Sequence, residues 1–166
     1  MSQPLIFSFR PDAAAMCLEG TKTRTRRIYD PNTHMLFSGP SIEEITRVAL
    51  YRHFGTPAAR LVWSVGSSIA IKPKRTACAV GRVMCVGLRV EHVQDITEEE
   101  ARAEGMTRVH PSSTLWQGKA DGPVFLTSRE AFENVWRRLN PRGPNSWDAN
   151  PLVVVIEMRP LKVGEE

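Results

Sequence analysis

Cysteine is scarce in this chain: Cys17, Cys78 and Cys85 make an odd number, and no CxxC pair occurs. A disulfide framework or a thiolate zinc site needs more than that, so the expectation is reduced thiols in a cytoplasmic protein. Long apolar runs are missing too. None approaches the ~20 residues that span a bilayer, so no membrane association is expected. The opening MSQPLIFSFRPD has no basic segment leading into a long apolar one, so no signal peptide is expected either. His34, His53, His92 and His110 share no ligand spacing with one another or with the cysteines, so neither a metal nor a cofactor is anticipated.

What is present fits one globular domain spanning 1–166. The chain has 166 residues, 42% hydrophobic and 24% charged, enough to build a core without a staple. The formal net charge of +4 is mild. Its distribution is more informative. GTKTRTRR (20–27) carries Lys22, Arg24, Arg26 and Arg27 with no carboxylate, while Glu98, Glu99, Glu100 and Glu104 crowd the segment from Thr97.

Periodicity orders the elements. PLIFSF (4–9) reads as a strand, Pro11–Asp12 starts a helix, and Gly20 stands where its C-cap belongs. TKTRTRRIY reads as a strand with Thr23, Thr25 and Arg27 on one face and Arg24 and Arg26 on the other. Lys22 must then lie in the turn after Gly20. Residues 29–60 look like an insertion, with a capping box (Ser41, Glu44) and an apolar stripe predicting a helix over 41–54. Gly66 marks a turn, and strands follow around Ser68–Lys72 and through AVGRVMCVGLRVEHV, with a bend at Gly87. Capping boxes at Thr97/Glu100 and Thr127/Glu130 open two further helices, the first ended by Gly105. In the second, Ala131, Val135 and Leu139 form an apolar row beside Phe132 and Trp136. PLVVVIEMR is a buried closing strand. Strands dominate without regular βαβ alternation, so the fold class is α+β: a mainly β core, a small bent barrel flanked by short helices.

Gly20-Thr21-Lys22-Thr23-Arg24-Thr25-Arg26-Arg27 resembles the GxKxxExR signature of ASCH domains, which share a barrel fold with PUA RNA-binding domains. Gly20, Lys22 and Arg27 stand at signature positions, and Thr25 takes the place of the signature glutamate. The turn Trp63–Gly66, the segment QDITEEEARAEGM and the late SWDANP are similar to ASCH-type proteins often encoded in prophages. The similarity covers most of the chain outside about 29–60 and 107–124. Within that superfamily, small bacterial N4-acetylcytidine amidohydrolases also carry threonine here, as G-x-K-x-x-T with a glutamate in a later A-x-x-E segment. Lys22, Thr25 and Glu104 match those three positions.

The resemblance implies an amidohydrolase that removes an acyl group from a modified cytidine-type nucleoside or base. Lys22, Thr25 and Glu104 would be its working group, with Gly20, Arg24, Arg26, Arg27 and Trp147 contacting the substrate. Thr25 would be the nucleophile, which needs a base. Lys22 can serve only with a neutral amine, a form that neighbouring cations favour and a neighbouring glutamate opposes. Two other readings stay open: a non-catalytic RNA-binding PUA-like module and a ribonuclease. The partner is a nucleoside or RNA in either case, and the 29–60 segment could instead serve protein contact.

Overall fold

The computed structural model describes residues 5–29, 33–37, 48–53, 59–161 and 164–165. Its principal sheet has five strands: β1 (Leu5–Ser8), β2 (Arg24–Ile28), β6 (Ser68–Lys72), β7 (Gly81–His92) and β11 (Leu152–Pro160). Their spatial order is β1-β6-β7-β11-β2, with β1 parallel to β6 and the other pairings antiparallel. A helix, α1 (Pro11–Glu19), connects β1 to β2. Two more, α2 (Glu98–Ala103) and α3 (Ser128–Leu139), cover the opposite face.

β11 organises the interior. Val153, Val154, Val155 and Ile156 are each fully buried, because the strand has neighbours on both edges and cover on both faces. Val154, Ile156 and Met158 point into a core with Phe7, Ala14, Cys17, Ile69, Ile71, Val83 and Cys85 beneath α1. Val153 and Val155 point the other way, into a core with Ile96, Ala101, Met106, Ala131, Phe132, Trp136 and Trp147 beneath α2 and α3. Each such aliphatic side chain contributes roughly 1.5–3 kcal/mol by leaving water. Burial also pushes the Cys17 and Cys85 thiols up to about 11, which makes them inert packing groups.

The α+β class stands. The expected barrel is a curled sheet whose ladder does not close, since among the described residues the outer strands β1 and β2 are not hydrogen-bonded to each other. Side chains bridge that gap instead: the Arg27 guanidinium of β2 lies 5.0 Å from the Phe7 ring centroid and 5.3 Å from that of Phe9. The bend near Gly87 is present. Glu157 faces Gly87 and Met158 faces Cys85, so Val86 is an extra residue that bulges β7.

The 29–60 segment departs from expectation. Its described parts form an antiparallel sheet of β3 (Thr33–Phe37), β4 (Val48–His53) and β5 (Ala59–Ser64), with β4 in the middle. The helix predicted over 41–54 is therefore a strand from Val48 to His53; its capping box, Ser41 and Glu44, lies outside the described residues. β4 pairs on both edges, and those distant backbone bonds override a local helical stripe. The segment outside the family similarity near 107–124 carries three two-residue strands, β8 (Thr107–Arg108), β9 (Trp116–Gln117) and β10 (Val124–Phe125). Leu139, expected in an apolar row, is 72% exposed at the end of α3. No helix among the described residues is long and apolar enough to cross a membrane.

Candidate active site

α1 ends on Gly20, whose φ of +80° suits a residue without a side chain. The backbone N–H groups of Gly20, Thr21 and Lys22 all converge on the Met16 carbonyl, which turns the chain back toward the sheet. Thr23 then donates its N–H to Ala103 O at 2.9 Å and accepts from Met158 N at 2.8 Å. That pair of bonds fastens the start of β2 both to the sheet and to the end of α2. Gly105, with φ +99°, lets the chain leave α2 immediately afterwards; a β-carbon there would press on Met16 at 3.2 Å. Local chemistry at two glycines thus brings Lys22 and Glu104, far apart in sequence, into contact.

Lys22 is 6% exposed and Glu104 7%. Lys22 Nζ donates to Glu104 Oε2 at 2.8 Å, to the Glu104 carbonyl at 2.5 Å and to the Arg24 carbonyl at 2.8 Å. Three acceptors match the three N–H bonds of an ammonium. The second carboxylate oxygen of Glu104 accepts from Arg26 Nη1 at 3.1 Å. Arg26 also donates to Glu91 Oε1 from Nη2 at 2.6 Å and from Nε at 3.1 Å, and its Nη2 lies 3.1 Å from Glu100 Oε2.

Charge continues outward over the same sheet face. Glu100 also meets Arg24 and Arg89, and Glu157 meets both arginines as well. Burial alone would raise the Glu100 carboxyl. The Thr97 N–H and then Arg26, Arg89 and Arg24 outweigh burial and hold it below the usual carboxylate range. These partners are legible only in part from sequence. Arg89, Glu91 and Glu157 are charges set inside otherwise apolar strands, a signal that each has a partner, but not which.

The alternation read along β2 is the one observed. Thr25 stands opposite Ile156 and Arg27 opposite Val154, on the α1 face; Arg24 and Arg26 stand opposite Glu157 and Val155. Because β2 is an outer strand, residues from both its faces reach a cleft of about 580 Å³ along its free edge. Lys22, Thr25, Arg26, Arg27 and Glu104 all line it. Asp12, Ala13 and Met16 of α1 form one wall, and Phe132, Val135, Trp136 and Leu139 of α3 form the other at helical spacing. Phe9 lies under both cations, 5.7 Å from Lys22 Nζ and 5.3 Å from the Arg27 guanidinium carbon.

The remaining sequence candidates fall elsewhere. Gly20 is a helix cap. Arg24 is tied into the carboxylate network and does not line the cleft. Trp147, expected to contact substrate, is 5% exposed in the core, 6.3 Å from Phe132 between ring centroids. Its loop tucks beneath α3, with Gln94 Nε2 donating to the Trp147 carbonyl at 2.8 Å. The cleft's apolar lining, Phe9, Met16 and Phe132, was not anticipated. Among the described residues no three His, Cys, Asp or Glu side chains gather in a way that could hold a metal ion.

No family model matches the chain, and no curated protein matches it. A solved structure does: protein EF3133 from Enterococcus faecalis, of family DUF984. The two share 13% identity and a TM-score of 0.51 over 96% of this chain and 80% of that one. A likeness at that identity shows the fold alone, that of a small α+β domain.

Proposed function

We propose that this chain is an ASCH-type amidohydrolase that removes an acyl group from the exocyclic nitrogen of a cytidine-type nucleoside or base. The observation that supports it is the convergence of Lys22, Thr25 and Glu104 on one partly apolar cleft of nucleoside size. No hydrogen bond of its own ties the Thr25 hydroxyl among the described residues, although Thr25 is only 4% exposed.

In this reading Thr25 Oγ1 attacks the acyl carbon, and the carbonyl electron pair moves onto oxygen. The hydroxyl proton goes to Lys22 as Lys22 passes one of its own to Glu104 Oε2, 2.8 Å away. Arg26, donating to Glu104 Oε1 at 3.1 Å, keeps Oε2 turned toward Lys22. The proton then returns through Lys22 to the departing nitrogen. The C–N bond breaks, the free amine leaves, and an acyl-threonine ester remains for water to hydrolyse to the carboxylate. Incubation with N4-acetylcytidine should yield cytidine and acetate in equal amounts, and Glu104→Gln should lose at least about 100-fold in rate. Absence of turnover by the wild-type protein ends this reading.

A second reading, a non-catalytic RNA-binding module, is favoured by the positive balance of the cleft, six cations against two carboxylates. It predicts RNA affinity that falls steeply with salt, as counterion release requires.

A further inference from the structure

Among the described residues Arg27 is the one cleft cation of β2 without an ion pair, and Glu104 acts on it only at longer range. Lys22, Arg24, Arg26 and Arg89 are matched by Glu91, Glu100, Glu104 and Glu157, four charges of each sign within one network. Arg27, next along the strand from Arg26, has no ion pair and no side-chain hydrogen bond among the described residues. Its Nε is buried without any acceptor. What holds it are the rings of Phe7 and Phe9, at 5.0 and 5.3 Å, which fix the guanidinium plane without satisfying its donors. Burial depresses its proton affinity below the usual arginine range, yet arginine stays charged in proteins, so a desolvated positive charge faces the cleft. Stranding such donors is costly unless something supplies acceptors. Lys119 and Arg138, also lining the cleft, are exposed and add positive charge on its wall side.

We propose that the cleft takes an anionic ligand whose phosphate or carboxylate oxygens are held by Arg27, with the amide or base portion lying over Lys22 and Thr25. A planar guanidinium that presents parallel N–H bonds is the group best matched to such an oxyanion. The proposal deepens the acyl-hydrolase reading by naming the charged class of substrate. It rests on that reading only for what lies beside Thr25; the anion subsite is a matter of binding, not of turnover.

The test is calorimetric binding to the intact protein with two matched pairs of probes. Cytidine 5′-monophosphate against cytidine reads a phosphate, and N-acetylglycine against N-acetylglycinamide reads a carboxylate. In at least one pair the charged member should bind about tenfold or more tightly than the neutral one, the size of one charge-assisted bidentate contact. That gap should close in Arg27→Met and persist in Thr25→Val. The unmodified protein gives a second readout: the Arg27 Nε–H proton resonance should move downfield when inorganic phosphate is added, as an acceptor reaches it. Equal or absent binding of both members in both pairs overturns the proposal, as does a gap that survives Arg27→Met. Absence of hydrolysis with the charge preference intact would end the amidohydrolase reading alone.

Discussion

Arg26 and Arg27 are neighbours on one short strand, and the protein treats them in opposite ways. Arg26 points to the α2–α3 face, where its side chain is 1% exposed and meets Glu91, Glu100 and Glu104. Arg27 points to the α1 face, where it meets two phenyl rings and no carboxylate among the described residues. The difference teaches that the basic run is not one feature. Strand alternation splits it into a cation that builds the site's scaffold and a cation held ready for something else.

The sharpest way to break that contrast is to remove each arginine in turn. Arg26→Met leaves three carboxylates facing one another without their shared partner. It should destabilise the fold by on the order of 3–5 kcal/mol in denaturant melts, the penalty for stranding buried charge. Arg27→Met removes a desolvated charge that has no ion pair among the described residues and puts an apolar chain against Phe7 and Phe9. Its stability should equal or exceed that of the wild type, because relief of the stranded donors offsets the ring contacts it loses, about 1 kcal/mol. If both substitutions cost the same, the two arginines do not differ in kind.

A second comparison, between the glycines that shape the site and the rest of the turn, gives an intermediate effect. Gly105→Ala forces a side chain onto a backbone at φ +99° and against Met16. A loss of about 1–2 kcal/mol is expected, the cost of placing an L-residue in that region. Substrate affinity should fall with it, because Glu104 immediately precedes Gly105 and would lose its alignment on Lys22.

Acid should erode the Arg26 side of the comparison. The Glu100 carboxyl is held below its ordinary value of 4.5 in the folded protein. Between that depressed value and 4.5 the unfolded chain binds the extra proton, so Glu100 supports the fold fully above 4.5 and progressively less as the pH drops. Glu100→Gln should therefore flatten the acid limb of the stability profile. Smallest of all should be Arg137→Ala. Its partners, Glu133 and Asp148, sit on the surface, and the melting temperature should not move measurably.

Much of this architecture is written locally. The capping boxes at Thr97/Glu100 and Thr127/Glu130, the Gly20 and Gly105 exits and the bulge beside Gly87 each follow from the residues at that spot, and each is found where its chemistry points. Period-2 alternation alone sorts Thr25 and Arg27 from Arg24 and Arg26. What the sequence conceals is choice of partner over distance. The stripe at 41–54 was compatible with a helix until pairing with β3 and β5 made its second half a strand. Trp147 could have stacked on a base, but the underside of α3 claimed it. The three extra carboxylates around Arg26 and Arg89 come from β7, α2 and β11, and no spacing rule links those segments.

The central claim is that Thr25, which lines the cleft with Lys22, Glu104 and Arg27, is a nucleophile. The most direct measurement is turnover of N4-acetylcytidine by Thr25→Val beside the wild-type protein, with melting curves of both. A loss of at least about 100-fold in rate, with the melting temperature nearly unchanged, is the predicted result. Equal turnover by the two proteins would contradict it.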